Sequence, residues 1–344
     1  MEKEKILKAG EIAKEVKKYI KPLIKKGVSL LEIAEKIENK IIQLGGKPAF
    51  PTNLSINEIA AHYTPSYNDE AKAHGLLKVD FGVHVDGWLS DTAFSVDLEN
   101  SEENKKLIIA SQNALKNAID LIINSLGGDS NNKNTKKSGD KISNNKVANE
   151  KDGDDVLINK KIGLVEGGGV AVEKNNLTTN QIGKIISETI EFSGFSPIIN
   201  LSGHEMKQYD LHAGLNIPNI DDKRETILKK GLYAIEPFAT NGSGRVYDGK
   251  PSGIYMLTNP RNIRSPLARE ILDYIAEEYS TLPFCSRWIV KKFGTRALIG
   301  LKQLEDNENL HHYPQLIDSG KGIVAQSENT ILIDDSGKVS VTTE

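Results

Sequence analysis

The chain repeats itself at long range. Thr178 stands to Ile182, Ile186, Ile190, Gly194 and Pro197 as Ser29 stands to Ile33, Ile37, Ile41, Gly45 and Pro48, each pair 149 positions apart. Both copies run on through the same landmarks. Asn53-Leu-Ser is matched by Asn200-Leu-Ser, and His62 by His212. A strand-like block closes each copy, LLKVDFG (76–82) and GLYAIEPF (231–238). Any two amphipathic helices ending at glycine look alike, but the matched continuation argues against coincidence. The implied architecture is a pair of similar α/β halves related by a pseudo-two-fold axis, with equivalent positions lining a shared central cleft.

The totals agree with a globular chain of this kind. At 344 residues it fits one large domain, or a domain with an added lobe. A net charge of -3 gives no electrostatic case for nucleic acid or a membrane surface. Cys285 is the single cysteine, so there is neither an intramolecular disulfide nor a cysteine-based zinc site. The N-terminal stretch is charged and amphipathic, unlike a signal peptide, and no window approaches the roughly 18 apolar residues of a membrane span. A reducing, cytoplasmic location is expected, where the Asn53 and Asn200 sequons are chance matches.

Local signals divide the chain further. Two helices open it, the second started by a Ser29/Glu32 capping box. A hairpin at about 76–97 and a helix at about 101–125 follow. From Asp129 to Asp155 only Ile142, Val147 and Ala148 are apolar, too few to offset ordering entropy, so 129–155 is expected to be a disordered insertion. A small helical lobe is expected at 259–318, opened by Ser265-Pro266, with further helices near 284–293 and 295–304. Its arrangement is winged-helix-like, but its composition is not basic enough for DNA. Strand signals return at 322–327, 330–333 and 338–342.

The hairpin poses a chemical question. Asp86-Gly87 is a strong two-residue turn signal. With that turn Val85 faces Trp88 and Gly82 faces Asp91, so Asp80 and Asp91 project from one face as diagonal neighbours, about 7 Å apart or less at Cβ. Unpaired carboxylates at that distance repel, and one pKa rises. A cation between them, or a pair of metal ions, removes the conflict. A solvated polar face would remove it too, and the hairpin alone leaves both readings open. Other candidate ligands are His204, just after the apolar strand FSPIINL, Glu236 in AIEPF and Glu328 in AQSENTILI. Four carboxylates and one imidazole suit a divalent ion such as Mn, Fe or Co better than a structural zinc.

Taken together, AFPTNLSINEIAAHYTP (49–65), KVDFGVHVDGWLSDTA (78–93), NLSGHEMKQYDLHAG (200–214), YAIEPFAT (233–240), YSTLPFCSRW (279–288) and IVAQSENTI (323–331) carry a resemblance. The chain resembles methionine aminopeptidases of type 2, in an archaeal-like form, over nearly its whole length. That resemblance implies the pita-bread α/β fold, spanning 1–258 and 319–344, with 259–318 as the type 2 helical insertion. It implies two divalent ions (Co, Mn, Fe or Zn) held by Asp80, Asp91, His204, Glu236 and Glu328, with Asp91 and Glu328 bridging. His62 and His212 would contact substrate and stabilise the transition state. Glu236 would take a proton from the bridging water. Phe50, Phe238 and Tyr313 would line the methionine pocket.

The implied activity is removal of the initiator methionine from nascent chains with a small second residue. Partners would be nascent N-termini near the ribosome, with no nucleic acid, no membrane and a monomeric enzyme. Two departures stand out. Ser327-Glu328-Asn329-Thr330 replaces the usual Phe-Glu-His-Thr, and Ile254 stands where eukaryotic members carry a histidine. Prolidases and aminopeptidase P share the five-ligand pattern, usually with an additional N-terminal domain. A non-catalytic binding protein on the same fold is the third reading.

Overall fold

The computed structural model describes residues 1–126 and 176–344. The polar insertion expected at 129–155 lies outside the described residues, as does Gly167-Gly168-Gly169.

The internal echo is visible in the elements themselves. Helix α1 (Lys3–Ile20) is followed by α2 (Leu30–Gln43), and the second copy supplies α4 (Thr179–Phe192) after α3 (Glu102–Leu126). Helices α2 and α4 are each 14 residues long. The Ser29 hydroxyl accepts from the Glu32 N–H, and the Gln181 side chain accepts from the Thr178 N–H, so each start satisfies an otherwise orphaned donor. Each helix leads, through a glycine with positive φ (Gly45, Gly194), into a two-residue strand, Lys47–Pro48 or Ser196–Pro197.

Each helix pair covers one face of its own sheet. Ile33, Ile37 and Ile41 pack with Leu77, Val79, Phe81 and Val83 of the strand Leu76–Val85. Ile182, Ile186 and Ile190 pack with Tyr233, Ile235, Ile331 and Ile333. In both halves these are odd-numbered strand positions. Side chains alternate along a strand, so the even positions turn to the opposite face, towards the middle of the molecule. Asp80, Glu236 and Glu328 share that parity.

The hairpin has the expected register. Val85 pairs with Trp88 and Gly82 with Asp91, and Asp86 and Gly87 both take positive φ, as the tight two-residue turn requires. The strand Trp88–Asp97 then meets the second half at a bridge between Ala93 and Glu328.

One expectation is corrected. His204 does not follow an apolar strand; it lies within one, Ser202–Met206, and the ladder upstream is only Ser196–Pro197. Pro197 cannot donate to a longer ladder.

Helices α5 (Pro266–Glu278), α6 (Ser286–Phe293) and α7 (Ala297–Asp306) share a small core of Ile271, Ile275, Phe284, Ile289, Leu301 and Leu304. The strand Leu310–Asp318 leaves this core, pairs with Val246–Leu257 and reaches Ile59 and Ala61 of the first half. A buried ion pair pins α6 to α2. Arg287 contacts Glu38 at 2.6 and 2.9 Å, and the Trp288 indole N–H donates to the same carboxylate.

Candidate active site

Every site residue singled out from the sequence lines one cavity of about 260 Å³ between the halves. Asp80, Asp91, His204, Glu236 and Glu328 lie there with His62, His212, Phe50, Phe238 and Tyr313. The polar cluster is tight. Ligand-type atoms of Asp91, His204 and Glu328 all fall within 4.8 Å of one another. His204 Nε2 is 3.7 Å from Asp91 Oδ2 and 3.6 Å from Glu236 Oε1. Asp80 and Glu236 are linked by Gln326, whose Nε2 donates to both at 3.4 Å.

Three features position the hairpin acids. The Asp-Gly turn sets their register. Gly82, opposite Asp91, is required because a Cβ there would run into the Phe50 ring and Ala49. The Thr330 hydroxyl takes both backbone groups of Asp91, accepting its N–H and donating to its carbonyl at 2.7 Å each. Gln326 and Thr330 were not singled out from the sequence. Each is two residues from Glu328, so strand periodicity around a suspected ligand could have found them.

The electrostatics are those of an anionic cradle. Burial raises the carboxyl pKa of Asp80. At Asp91, Glu236 and Glu328 burial acts first and the neighbouring carboxylates add to the rise. No donor reaches Oδ1 of Asp80, Oδ1 of Asp91 or either oxygen of Glu328. Burial pulls His204 down to about 3, so its imidazole is neutral and its lone pair free to coordinate. Four carboxyls, three of them with open oxygens, around one neutral imidazole fit a divalent cation, which would neutralise the repulsion and fill those lone pairs.

The remaining walls are histidine and apolar. His62 holds a positive φ of 64°, a strained backbone for a non-glycine residue. Its Nδ1 lies 3.1 Å from the Pro314 carbonyl, and its ring meets Tyr313 edge-on. His212 stands beside His204, ring centroids 4.5 Å apart, at the exposed mouth. Tyr313 and Ile254 are cross-strand partners and line the apolar side with Phe50 and Phe238.

The two departures beside Glu328 have local partners outside the cavity. The Ser327 hydroxyl meets that of Ser111 on α3 at 2.9 Å. Asn329 Oδ1 accepts from the Thr343 hydroxyl at 3.0 Å and from Lys17 at 3.4 Å.

Comparison with known proteins points the same way. The profile of "Metallopeptidase family M24" matches residues 4–129. A methionine aminopeptidase of Methanocaldococcus jannaschii is 41% identical over 344 residues, covering 99% of this chain and 98% of that protein. Among solved structures, a thermophilic Arx1 aligns with a TM-score of 0.72 at 15% identity, over 98% of this chain and 89% of that one. A methionine aminopeptidase from Thermotoga maritima aligns with a TM-score of 0.60 at 19% identity, over 99% and 96%. At such identities the structural likeness speaks to the shared pita-bread fold alone. The sequence relationship, spanning essentially the whole of both chains, decides the family: this chain belongs to the methionine aminopeptidases of metallopeptidase family M24.

Proposed function

We propose that this methionine aminopeptidase, of type 2, holds two divalent ions between its halves and releases the initiator methionine of nascent chains whose second residue is small. The observation that carries the reading is the convergence of Asp80, Asp91, His204, Glu236 and Glu328 in one cavity, with carboxylate oxygens that no donor satisfies. Asp91 and Glu328, one from each half, are the ligands suited to bridging. Bound there, divalent ions supply Lewis acidity and acidify a water molecule towards neutral pH.

The protein's own groups divide the remaining work. A carbonyl oxygen only accepts, so the Pro314 contact fixes the proton of His62 on Nδ1. Burial pulls the His62 pKa down to about 4, so at neutral pH its Nε2 is a lone-pair acceptor. It is suited to receive the N–H of the scissile amide and not to donate to an oxyanion. His212 is left to donate to the developing oxyanion. Gln326 occupies Glu236 Oε2, leaving Oε1 to take a proton. Phe50, Phe238, Ile254 and Tyr313 form the wall that receives an unbranched thioether side chain.

A cavity of about 260 Å³ falls below the roughly 300–1,000 Å³ of most ligand pockets, which suits one residue and restricts cleavage to the chain end. The enzyme acts near the ribosome as a cytoplasmic monomer, without nucleic acid; the net charge of -3 supports the last point. Among the described residues no helix is long and apolar enough to cross a membrane. The test is metal-dependent hydrolysis of Met-Ala-Ser against Gly-Pro. Methionine release that stops on chelation and returns with added metal is expected. Cleavage of Gly-Pro alone would overturn the reading.

A further inference from the structure

The junction between the hairpin and the second half is stitched in an unusual way. The two-residue turn decides which backbone groups are free. Val85 and Trp88 exchange backbone bonds, so residues 91, 93 and 95 turn their N–H and C=O groups away from Leu76–Val85 and towards 326–330. An ordinary antiparallel ladder would pair 91 with 330, 93 with 328 and 95 with 326. Only the middle pair uses the backbone on both sides, where the Glu328 N–H donates to the Ala93 carbonyl at 3.0 Å.

Elsewhere hydroxyls stand in. Ser95 Oγ donates to the Gln326 carbonyl and accepts its N–H, at 2.8 and 2.9 Å. Thr92 Oγ1 donates to the Glu328 carbonyl at 3.0 Å. Thr330 Oγ1 takes both backbone groups of Asp91. Thr330 is itself fixed, its N–H donating to Thr343 Oγ1 at 2.9 Å. All of Ser95, Thr92 and Thr330 are buried.

We infer that this hydroxyl ladder sets the separation of Asp91 and Glu328, with Thr330 as the principal positioning residue for the metal centre. A hydroxyl sets one backbone back from the other by its Cα–Cβ–Oγ arm, instead of at the ladder spacing of about 4.8 Å. The carboxylates on either side of the junction then converge diagonally, without direct cross-strand pairing. The clamp also carries no charge. Two carboxyls that would repel each other if both ionised are held by neutral bonds to their backbones, so the cradle keeps its shape as charge arrives or leaves. Outer partners of this kind usually affect metal affinity by about 10–100-fold.

The inference rests on the metal reading above, and the experiment separates the two. Chelator-treated full-length protein is titrated with cobalt(II) by calorimetry, and the visible absorption of the cobalt-loaded protein is recorded. Thr330→Val, close in volume but unable to clamp, is expected to bind cobalt about 10–100-fold more weakly, with an altered absorption band. Its kcat on Met-Ala-Ser should fall while KM changes little. Thr330→Ser keeps the hydroxyl and should restore affinity and spectrum. A folded Thr330→Val protein with wild-type affinity and spectrum overturns the inference. If circular dichroism shows that variant unfolded, Ser95→Ala and Thr92→Val decide: weakened cobalt binding in either supports the ladder, and wild-type binding in both overturns it. A wild-type chain that takes up no cobalt overturns the metal reading itself.

Discussion

The two halves build their shares of one site by different means. The first offers Asp80 and Asp91 from a regular hairpin of two ten-residue strands, in an unbroken register set by Asp86-Gly87. The second offers His204 from a five-residue strand, and Glu236 and Glu328 from the breaks beside short strands. Related helices and sheets thus end in unlike edges. A regular ladder places two ligands of one chemical type at a fixed spacing. Interrupted strands free backbone direction and allow an imidazole and two glutamates to reach the same point from separate segments.

The largest expected effect tests whether both edges are needed. Asp91→Asn and Glu328→Gln should each lower kcat/KM on Met-Ala-Ser by on the order of 10³-fold or more, since each would remove a carboxylate proposed to hold the metal ions. Near wild-type turnover in either variant, assayed with excess metal, would mean one half suffices. Next comes packing. A Cβ on Gly203 would meet the Ala234 carbonyl, a backbone atom with little freedom to move. Gly203→Ala should cost about 2–3 kcal/mol in denaturant unfolding and weaken metal binding through His204.

On the first half, Gly87 has a φ of 80° and its Cβ would clash with the Tyr209 ring, a side chain that can turn aside where a backbone carbonyl cannot. Gly87→Ala should therefore cost less, about 1–2 kcal/mol. The reverse order would show the hairpin to be the more constrained edge. The smallest effect concerns pH. Burial lowers both His62 and His84 to about 4, below the unfolded value near 6.5. The unfolded chain binds protons that the folded chain refuses, so stability is lost as pH falls from about 6.5 towards 4. Between pH 7 and 6 each histidine contributes about 0.7 kcal/mol of that loss. His84→Gln, measured by chemical denaturation at both pH values, should flatten the slope.

The same contrast explains what could be read from the sequence. The Asp-Gly turn is local, so the hairpin register and the shared face of Asp80 and Asp91 followed from short-range rules. The repeat made the two helical layers legible, because amphipathic spacing survives wherever a helix covers a sheet. The second edge was not legible in that way. His204 was placed after its strand, because FSPIINL is apolar although only Ser196–Pro197 of it joins a ladder. Gln326 and Thr330 reach Asp80 and Asp91 across more than 230 positions of sequence, and a polar side chain in a strand does not name its partner. Lys78, on the same strand as Asp80, is buried with its ammonium capping the Asn57 and Val324 carbonyls, a core role that composition does not announce. His204, Glu236 and Glu328 were each weak candidates; their donor types together suggested a divalent-ion site, and the family resemblance made the set specific.

The bridge between Ala93 and Glu328 also sets a schedule. Its two partners leave the ribosome far apart in time: at about 5–20 residues per second, roughly 10–50 s separate them. Until the later one emerges, the hairpin presents two carboxylates with nothing to close over them. On the proposed ligand set, hydrolytic competence would be withheld until residue 328 has emerged, a form of latency that needs no inhibitor.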